Sequence, residues 1–175
     1  QEVDLLEFRI GELQDAARNA GYQLIFGATT QLGSDAASSY GRRTAIAIKD
    51  IYKIDTVHGP YDHNTTLLWQ SGRWVERLVH FSNESQIIIS CYYGIAGASA
   101  KGNKHTENER LAKTVIVRMA LCGEVPCLLG TDLNDNPICS ETVVKAIEAE
   151  LRTWSAQHTT GIHLPHTAKE ALRRV

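Results

Sequence analysis

The sequence predicts an α/β fold, a sandwich with a mixed sheet, formed by a single domain over residues 1–175. Two observations lead to this class. Short apolar runs of strand length come first, and in the second half of the chain they alternate with amphipathic segments of helical period. The chain is 43% apolar, which is enough to bury one sizeable core. We find no internal repeat, so a repeat architecture is excluded.

The first half of the chain predicts one helix followed by strands. Residues 3–20 place apolar side chains near helical spacing and end at Gly21, which predicts the helix. The loops we expect, 29–43 and 58–71, are rich in Gly, Ser, Thr, Asp and Asn, although 65–69 could form an edge strand. Runs with β-branched and aromatic residues predict strands over 22–28, 44–48, 52–57, 73–81 and 86–93.

The second half alternates strands with helices. Strand 86–93 is almost wholly apolar, so we expect it to be central and covered on both faces. A small, polar loop over 94–105 follows, and Thr106 with Glu109 fits a capping box for a helix over 106–121. The last predicted elements are a strand over 125–129 and a helix over 140–154 that Ser140 caps.

The segment after the strand Val125–Leu129 holds the strongest candidate site. The apolar run ends abruptly in polar residues, among them Asp132 and Asn134. Ligands of open α/β sheets bind beyond the carboxyl ends of strands. A carboxylate and an amide two residues apart on an extended segment point the same way, which suits a metal ion or a phosphate oxygen. The alternative is a turn in which the same residues act as caps.

Charge and cysteine content narrow the classes of protein. A formal net charge of -2 supplies no basic field, which argues against a dedicated nucleic-acid-binding module. No apolar stretch approaches the 18 residues or so of a membrane span. The four cysteines lack the paired spacing of a zinc site, which favours buried reduced thiols and an intracellular protein, nuclear or cytoplasmic.

Three stretches in order resemble one known family. Residues 128–137, with Asp132-Leu133-Asn134, resemble the Gly-Asp-Phe/Leu-Asn motif of the endonuclease/exonuclease/phosphatase family. Gln1-Glu2 resembles the family's early Gln-Glu pair, and Ile88–Gly94 resembles its strand ending in Tyr-Gly. One departure is Thr131, which stands where the family has Gly. The resemblance covers nearly the whole chain and implies a DNase-I-like α/β sandwich with mixed, mainly antiparallel sheets flanked by helices.

The resemblance also implies a site and a mechanism. Glu2 would hold Mg²⁺, with Mn²⁺ as an alternative, and the ion would neutralise a phosphate oxygen. Asp132 would orient or deprotonate the attacking water, and Asn134 would donate a hydrogen bond to the phosphate. Tyr93 would add a donor, and we choose it over the adjacent Tyr92 because it precedes the glycine.

The activity implied is a Mg²⁺-dependent phosphodiester hydrolase, with an endonuclease acting on nucleic acid as the default. A phosphatase acting on inositol phosphates or phospholipid headgroups is an alternative within the same fold. The family's first strand, with its active-site Asn, and its final Asp-His motif have no counterpart in these residues. We therefore expect a domain truncated at both ends, and a non-catalytic remnant or binding domain is the competing hypothesis.

Each candidate also has a purely structural interpretation. Glu2 would be a carboxylate at a helix start, Tyr93 a sheet residue, and Asp132 and Asn134 turn caps. Asn108 is interpreted as part of the first turn of its helix rather than as a ligand. Surface exposure or packing explains the remaining candidates better than ligand binding does: His158, His163, His166, Arg42, Arg43, Trp69, Trp74 and Trp154.

Overall fold

The computed structural model of the chain describes residues 2–6, 9–31, 40–58, 62–82, 85–98, 102–134 and 140–148. The described residues form a mixed α/β fold with two sheets and four helices, which confirms the predicted class. The strands are β1 (Glu2–Leu6), β2 (Tyr22–Phe26), β3 (Thr30–Gln31), β4 (Tyr40–Lys49), β5 (Lys53–Asp55), β6 (Trp74–His80), β7 (Gln86–Tyr93) and β8 (Cys127–Asp132). The helices are α1 (Ile10–Asn19), α2 (His63–Gln70), α3 (Asn103–Ala120) and α4 (141–148).

Both sheets are mainly antiparallel. In the first sheet β4 pairs with β1, β2 and β3, and in the second sheet the strand order is β5-β6-β7-β8. The pair β7 and β8 is parallel, because the chain leaves β7, runs back along α3 and enters β8 in the same direction. The carboxyl ends of these two strands therefore lie side by side.

One core fills the space between the two sheets. Its buried side chains come from the facing strands β4, β6 and β7: Ile46, Ile48, Val75, Val79 and Cys91. The isoleucines and valines among them lie two or four positions apart along their strands, so they share one face of each sheet. The two sheets thus stack face to face in the middle of the described chain.

A second core lies on the other face of the second sheet, under α2 and α3. It contains Leu68, Trp74, Tyr92, Leu111, Ala112 and Val115. Cys91 faces the core between the sheets and the adjacent Tyr92 faces the helices, so β7 is buried on both faces. The prediction of a central, doubly covered strand over 86–93 is confirmed.

A buried ion pair joins α3 to β6. Arg118 of α3 is 1% exposed, and its Nη2 lies 2.9 Å from Oε1 of Glu76, which is 5% exposed. The Nε of Arg118 donates to the same oxygen at 3.2 Å. Because both charges are removed from water, the attraction between them offsets the hydration that each has lost.

The helix predicted over residues 3–20 is wrong at residues 3–6. Residues 2–6 form β1, which pairs antiparallel with β4 in the register Glu2 to Thr44 and Leu6 to Gly41. The apolar spacing of this segment fits a helix locally, but the ladder with β4 satisfies its backbone and decides the structure. The helical part begins at Ile10 and ends before Gly21, as predicted.

The loop predicted over 58–71, with a possible edge strand at 65–69, is also wrong, because α2 occupies His63–Gln70. Asp62 is its N-cap, and the Asp62 Oδ1 accepts a hydrogen bond from the Thr65 backbone N–H at 2.7 Å. Thr65 and Leu68 are both buried, and Leu68 belongs to the second core. A cap and two buried contacts outweigh the weak helical propensity of this polar sequence.

The start of α3 differs from the predicted capping box. The helix begins three residues earlier, at Asn103 after Gly102, and Thr106 Oγ1 donates back to the Gly102 carbonyl at 3.3 Å. Glu109 instead accepts from the Thr142 N–H at 3.1 Å and so holds the start of α4. The predicted cap of α4 is confirmed, since Ser140 Oγ accepts from the Val143 N–H at 3.3 Å.

The remaining differences concern element ends. β8 extends to Asp132 instead of stopping at Leu129, and residues at both ends of the predicted loop 29–43 are strands β3 and β4. The predicted helix beyond residue 148 and the tail after it lie outside the described residues. None of the helices that the structure describes is long and apolar enough to cross a membrane.

Candidate functional site

Tyr93 and Asp132 occupy neighbouring positions at the ends of β7 and β8. The parallel register pairs Ile88 with Cys127 and continues without a break to Tyr93 and Asp132. The ladder continues one step further, because the Gly94 N–H donates to the Asp132 carbonyl at 2.7 Å. The structure thus brings together two of the residues that the sequence selected, and it fixes them by backbone pairing.

The chain turns directly after Asp132. Asn134 has a positive φ of 50°, and its backbone N–H donates to Oδ1 of Asp132 at 2.9 Å. This is an Asx turn, in which a carboxylate replaces a backbone carbonyl. The prediction that Asp132 and Asn134 lie on one extended segment is therefore wrong, although the turn keeps both residues at the strand end.

The carbonyl of Gly94 is the point where several of these groups meet. It accepts a hydrogen bond from Nδ2 of Asn134 at 3.0 Å and one from Nη1 of Arg73 at 2.7 Å. A carbonyl oxygen has two lone pairs, so these two donors saturate it. Asn134, Arg73 and the end of β7 form one connected polar cluster.

Arg73 is a site residue that sequence reasoning missed. Its guanidinium carbon lies 5.5 Å from the centroid of the Tyr93 ring, a cation–π arrangement, and its backbone carbonyl accepts from the Tyr93 N–H at 2.8 Å. The sequence pointed to Arg73 only indirectly, through its position next to a strand. Arg73 precedes β6, and the antiparallel pairing of Trp74 with Tyr92 places that strand's first residue beside the last residues of β7.

Asn108 organises the two loops behind the site. It is 2% exposed, and its Oδ1 accepts from the Tyr92 hydroxyl at 2.8 Å and from the Ile95 N–H at 2.9 Å. Its Nδ2 donates to the Leu133 carbonyl at 2.9 Å. One buried amide therefore ties α3 to the loop after β7 and to the loop after β8. Its interpretation as a first-turn residue of α3 is wrong, because the helix begins at Asn103.

The two adjacent tyrosines have different environments. Tyr92 is 1% exposed, its hydroxyl points at Asn108, and burial is the main cause that raises the pKa of its phenol. Tyr93 faces the opposite side of β7, where Arg73 lies over its ring. Tyr92 thus packs under α3, whereas Tyr93, which is also buried at 5% exposed, lies beside the polar cluster.

Close backbone packing explains Gly94. A Cβ placed on Gly94 would lie 2.1 Å from the Leu133 carbonyl oxygen and 3.0 Å from Oδ1 of Asn108. Any larger residue would push the loops after β7 and β8 apart. The glycine that helped to select Tyr93 in the sequence therefore has a packing role in the structure.

The strand that carries Glu2 reaches the same end of the molecule. Glu2 is the register partner of Thr44, and Thr44 is completely buried. Thr44 Oγ1 donates to the Gly72 carbonyl at 3.1 Å, directly before Arg73. The Glu2 backbone is thereby linked through Thr44 and Gly72 to the polar cluster, while its side chain lies outside what the structure describes.

Other candidates take no part in the described site. Within the described residues, no three His, Cys, Asp or Glu side chains come together as a metal site. Trp74 is buried and donates from Nε1 to the Ser90 hydroxyl at 2.8 Å, whereas Trp69 is 54% exposed on α2. Outside the described residues, or with undescribed side chains, are His158, His163, His166, Trp154, Arg42 and Arg43.

No model of a known protein family matches the chain, and neither a curated protein nor a solved structure matches it.

Proposed function

We propose that the chain is a Mg²⁺-dependent phosphodiester hydrolase with a DNase-I-like fold, and that nucleic acid is its substrate. The observation that carries the proposal is the meeting of Asp132, Asn134 and Tyr93 around Gly94, at one end of a central sheet. The stacking of two mainly antiparallel sheets with helices outside is what that fold requires. The motif order in the sequence supports the same proposal.

The groups at this site suit phosphoryl chemistry. Asp132 supplies a carboxylate that can orient or accept a proton from a water molecule. Asn134 has two amide hydrogens, and the bond to Gly94 uses one of them, so the other can serve a phosphate oxygen. Carboxylate and amide oxygens are hard ligands of the kind that Mg²⁺ takes, and Glu2 is the further ligand we propose. When bound, the ion neutralises charge on the phosphate.

The position of Arg73 supports the proposal that the substrate is an anion. Its guanidinium lies beside Tyr93 and Asn134. The proposed site therefore carries a positive charge, although the net charge of the chain is -2. The shared recognition element of nucleic acid, an inositol phosphate and a phospholipid headgroup is a phosphate ester. Nucleic acid remains our proposal, and the two other esters are substrates to be compared in the assay.

The test is cleavage of bis-p-nitrophenyl phosphate and of plasmid DNA with Mg²⁺, with Mn²⁺ and with a chelator. We expect metal-dependent cleavage that Asp132→Asn lowers by about 100-fold or more, the typical contribution of a general base. Asp15→Asn is the matched control, since Asp15 is an exposed carboxylate on α1 far along the chain. Equal rates for the two variants would overturn the role of Asp132, and a folded chain that cleaves neither substrate would overturn the hydrolase proposal in favour of a non-catalytic domain.

A non-catalytic binding domain of the same fold is the second candidate. The specific observation in its favour is that Oδ1 of Asp132 is engaged in the turn and Nδ2 of Asn134 in the bond to Gly94, as in a purely structural loop. In that case Asp132→Asn changes the stability of the chain but no catalytic rate. The cleavage assay, together with urea unfolding of the same two variants, distinguishes the candidates.

A further inference from the structure

Two cysteines lie against the last turn of α3. Cys122 follows the helix, and its Sγ donates to the Arg118 carbonyl at 3.3 Å. Cys127 begins β8, and its Sγ donates to the Val125 carbonyl at 3.4 Å and lies 3.9 Å from the Met119 carbonyl. Because Arg118 and Met119 are consecutive, their carbonyls are neighbours on the helix. The two sulfur atoms are therefore brought to the same place by different elements.

The surroundings of the two thiols change their pKa values. Burial is the largest cause that raises the pKa of Cys122, and it raises the pKa of Cys127 to about 11. The two side chains are close enough to affect each other: Cys127 lowers the pKa of Cys122, and Cys122 raises the pKa of Cys127. The nearby charges of Glu76 and Arg118 contribute in opposite directions. Both thiols are free and only partly buried, whereas Cys91 is 4% exposed between the sheets.

The connection between them has room to move. Gly123 has a φ of +70°, and no atom lies within 4 Å of the position that a Cβ would take there. The segment leaves α3 through this residue and enters β8 after Pro126, whose carbonyl accepts from the Ile88 N–H at 2.8 Å. A small change at Gly123 can thus adjust the approach of the two sulfurs without breaking the β7–β8 ladder.

We propose that Cys122 and Cys127 form a modification site, a dithiol that low-molecular-weight disulfides such as glutathione disulfide convert to an intrachain disulfide. The thiolate of one cysteine attacks glutathione disulfide, forms a mixed disulfide and releases one glutathione thiolate. The second cysteine, after losing its proton to solvent, attacks the protein sulfur and releases the second glutathione. Two protein thiols are oxidised, and one glutathione disulfide is reduced to two thiols.

The experiment uses the full chain in a Cys139→Ser background, so that every remaining cysteine lies in the described part. The reduced protein is incubated with glutathione disulfide at about pH 8.5, where more of each thiol is ionised. We expect the intact mass to fall by about 2 Da, the mass of two hydrogens. Cleavage after glutamates, Glu124 among them, then places Cys122 and Cys127 on two peptides that separate only on reduction.

Two matched variants test whether the internal disulfide forms specifically between Cys122 and Cys127. Cys122→Ser should stop at a glutathione adduct on Cys127, a gain of about 305 Da. Cys91→Ser should still lose about 2 Da, because the buried Cys91 has no part in the exchange. Glutathione adducts without internal closure in the parent protein would overturn the proposal. So would the absence of any reaction while circular dichroism shows a folded chain.

Discussion

Tyr93 and Asp132 are register partners at the ends of two parallel strands, and the ladder between them continues into Gly94. The relative position of the two side chains is thus fixed by backbone hydrogen bonds of the sheet. Such a scaffold holds a site more firmly than a pair of loops does. Arg73 and Asn134 add side-chain bonds to the same carbonyl, that of Gly94.

The first prediction concerns Gly94. Gly94→Ala should destabilise the chain by about 2 kcal/mol or more, because its Cβ would meet the Leu133 carbonyl at 2.1 Å and backbone must move. Gly11→Ala is the control, since nothing lies within 4 Å of that position in α1. It should raise stability by about 0.5–1 kcal/mol. Urea unfolding measures both, and equal effects would contradict the close packing.

The second prediction concerns the buried amide of Asn108. Asn108→Ala removes partners from the Tyr92 hydroxyl, the Ile95 N–H and the Leu133 carbonyl, and it should cost about 3 kcal/mol in unfolding free energy. Asn64→Ala on the exposed side of α2 should change stability by less than about 0.5 kcal/mol. Denaturant curves for the two variants test this, and a mild effect at Asn108 would argue against its organising role.

Strand ends could be located from the sequence, whereas residues that act through backbone carbonyls could not. Asp132 and Tyr93 follow apolar runs, and that local pattern is enough to place them at the edge of a sheet. Asn108 and Arg73 meet carbonyls that are distant in sequence, and neither residue has a local signature. Their roles appear only once β6, β7 and α3 are packed together.

The third prediction is a pH dependence from Tyr92. Burial raises the pKa of this phenol above its ordinary value, so the fold favours the neutral form. Its contribution to stability is present below the unfolded pKa of about 10 and is lost as the pH rises toward the folded value. The unfolding free energy should therefore fall above about pH 10 in the parent chain, and less steeply in Tyr92→Phe.

Absorbance of ionised tyrosine provides the check on Tyr92. Tyr92 should ionise in the folded chain only at higher pH than in urea. Tyr92→Phe should remove this late step. A late step that survives in Tyr92→Phe would assign the buried phenol to another residue.

The fourth prediction concerns the ion pair of Glu76 and Arg118. Glu76→Ala should cost about 3–5 kcal/mol, because it leaves the Arg118 charge in the core without its carboxylate. The double variant Glu76→Leu with Arg118→Met should be less destabilised than Glu76→Ala. Asp15→Ala breaks an exposed pair with Arg18 and should cost less than about 1 kcal/mol. Thermal unfolding of the three variants gives the comparison.

The two misassigned segments of the fold have a common physical cause. Residues 3–9 have helical spacing, and residues 63–70 have polar loop composition, yet the first forms β1 in part and the second forms α2. In both cases a partner distant in sequence decides: β4 for the first, the core around Leu68 for the second. Local propensity contributes a few tenths of a kcal/mol per residue, which tertiary contacts outweigh.

The central proposal is that Glu2 holds a metal ion beside Asp132, the residue that orients or deprotonates the attacking water. Titration with Mn²⁺, followed by the loss of the signal of the hydrated ion in electron paramagnetic resonance, tests it most directly. We expect one bound Mn²⁺, an affinity reduced about tenfold or more by either Glu2→Gln or Asp132→Asn, and no change in Asp15→Asn. The absence of bound Mn²⁺ in the folded chain, or binding unaffected by both site variants, would contradict the claim.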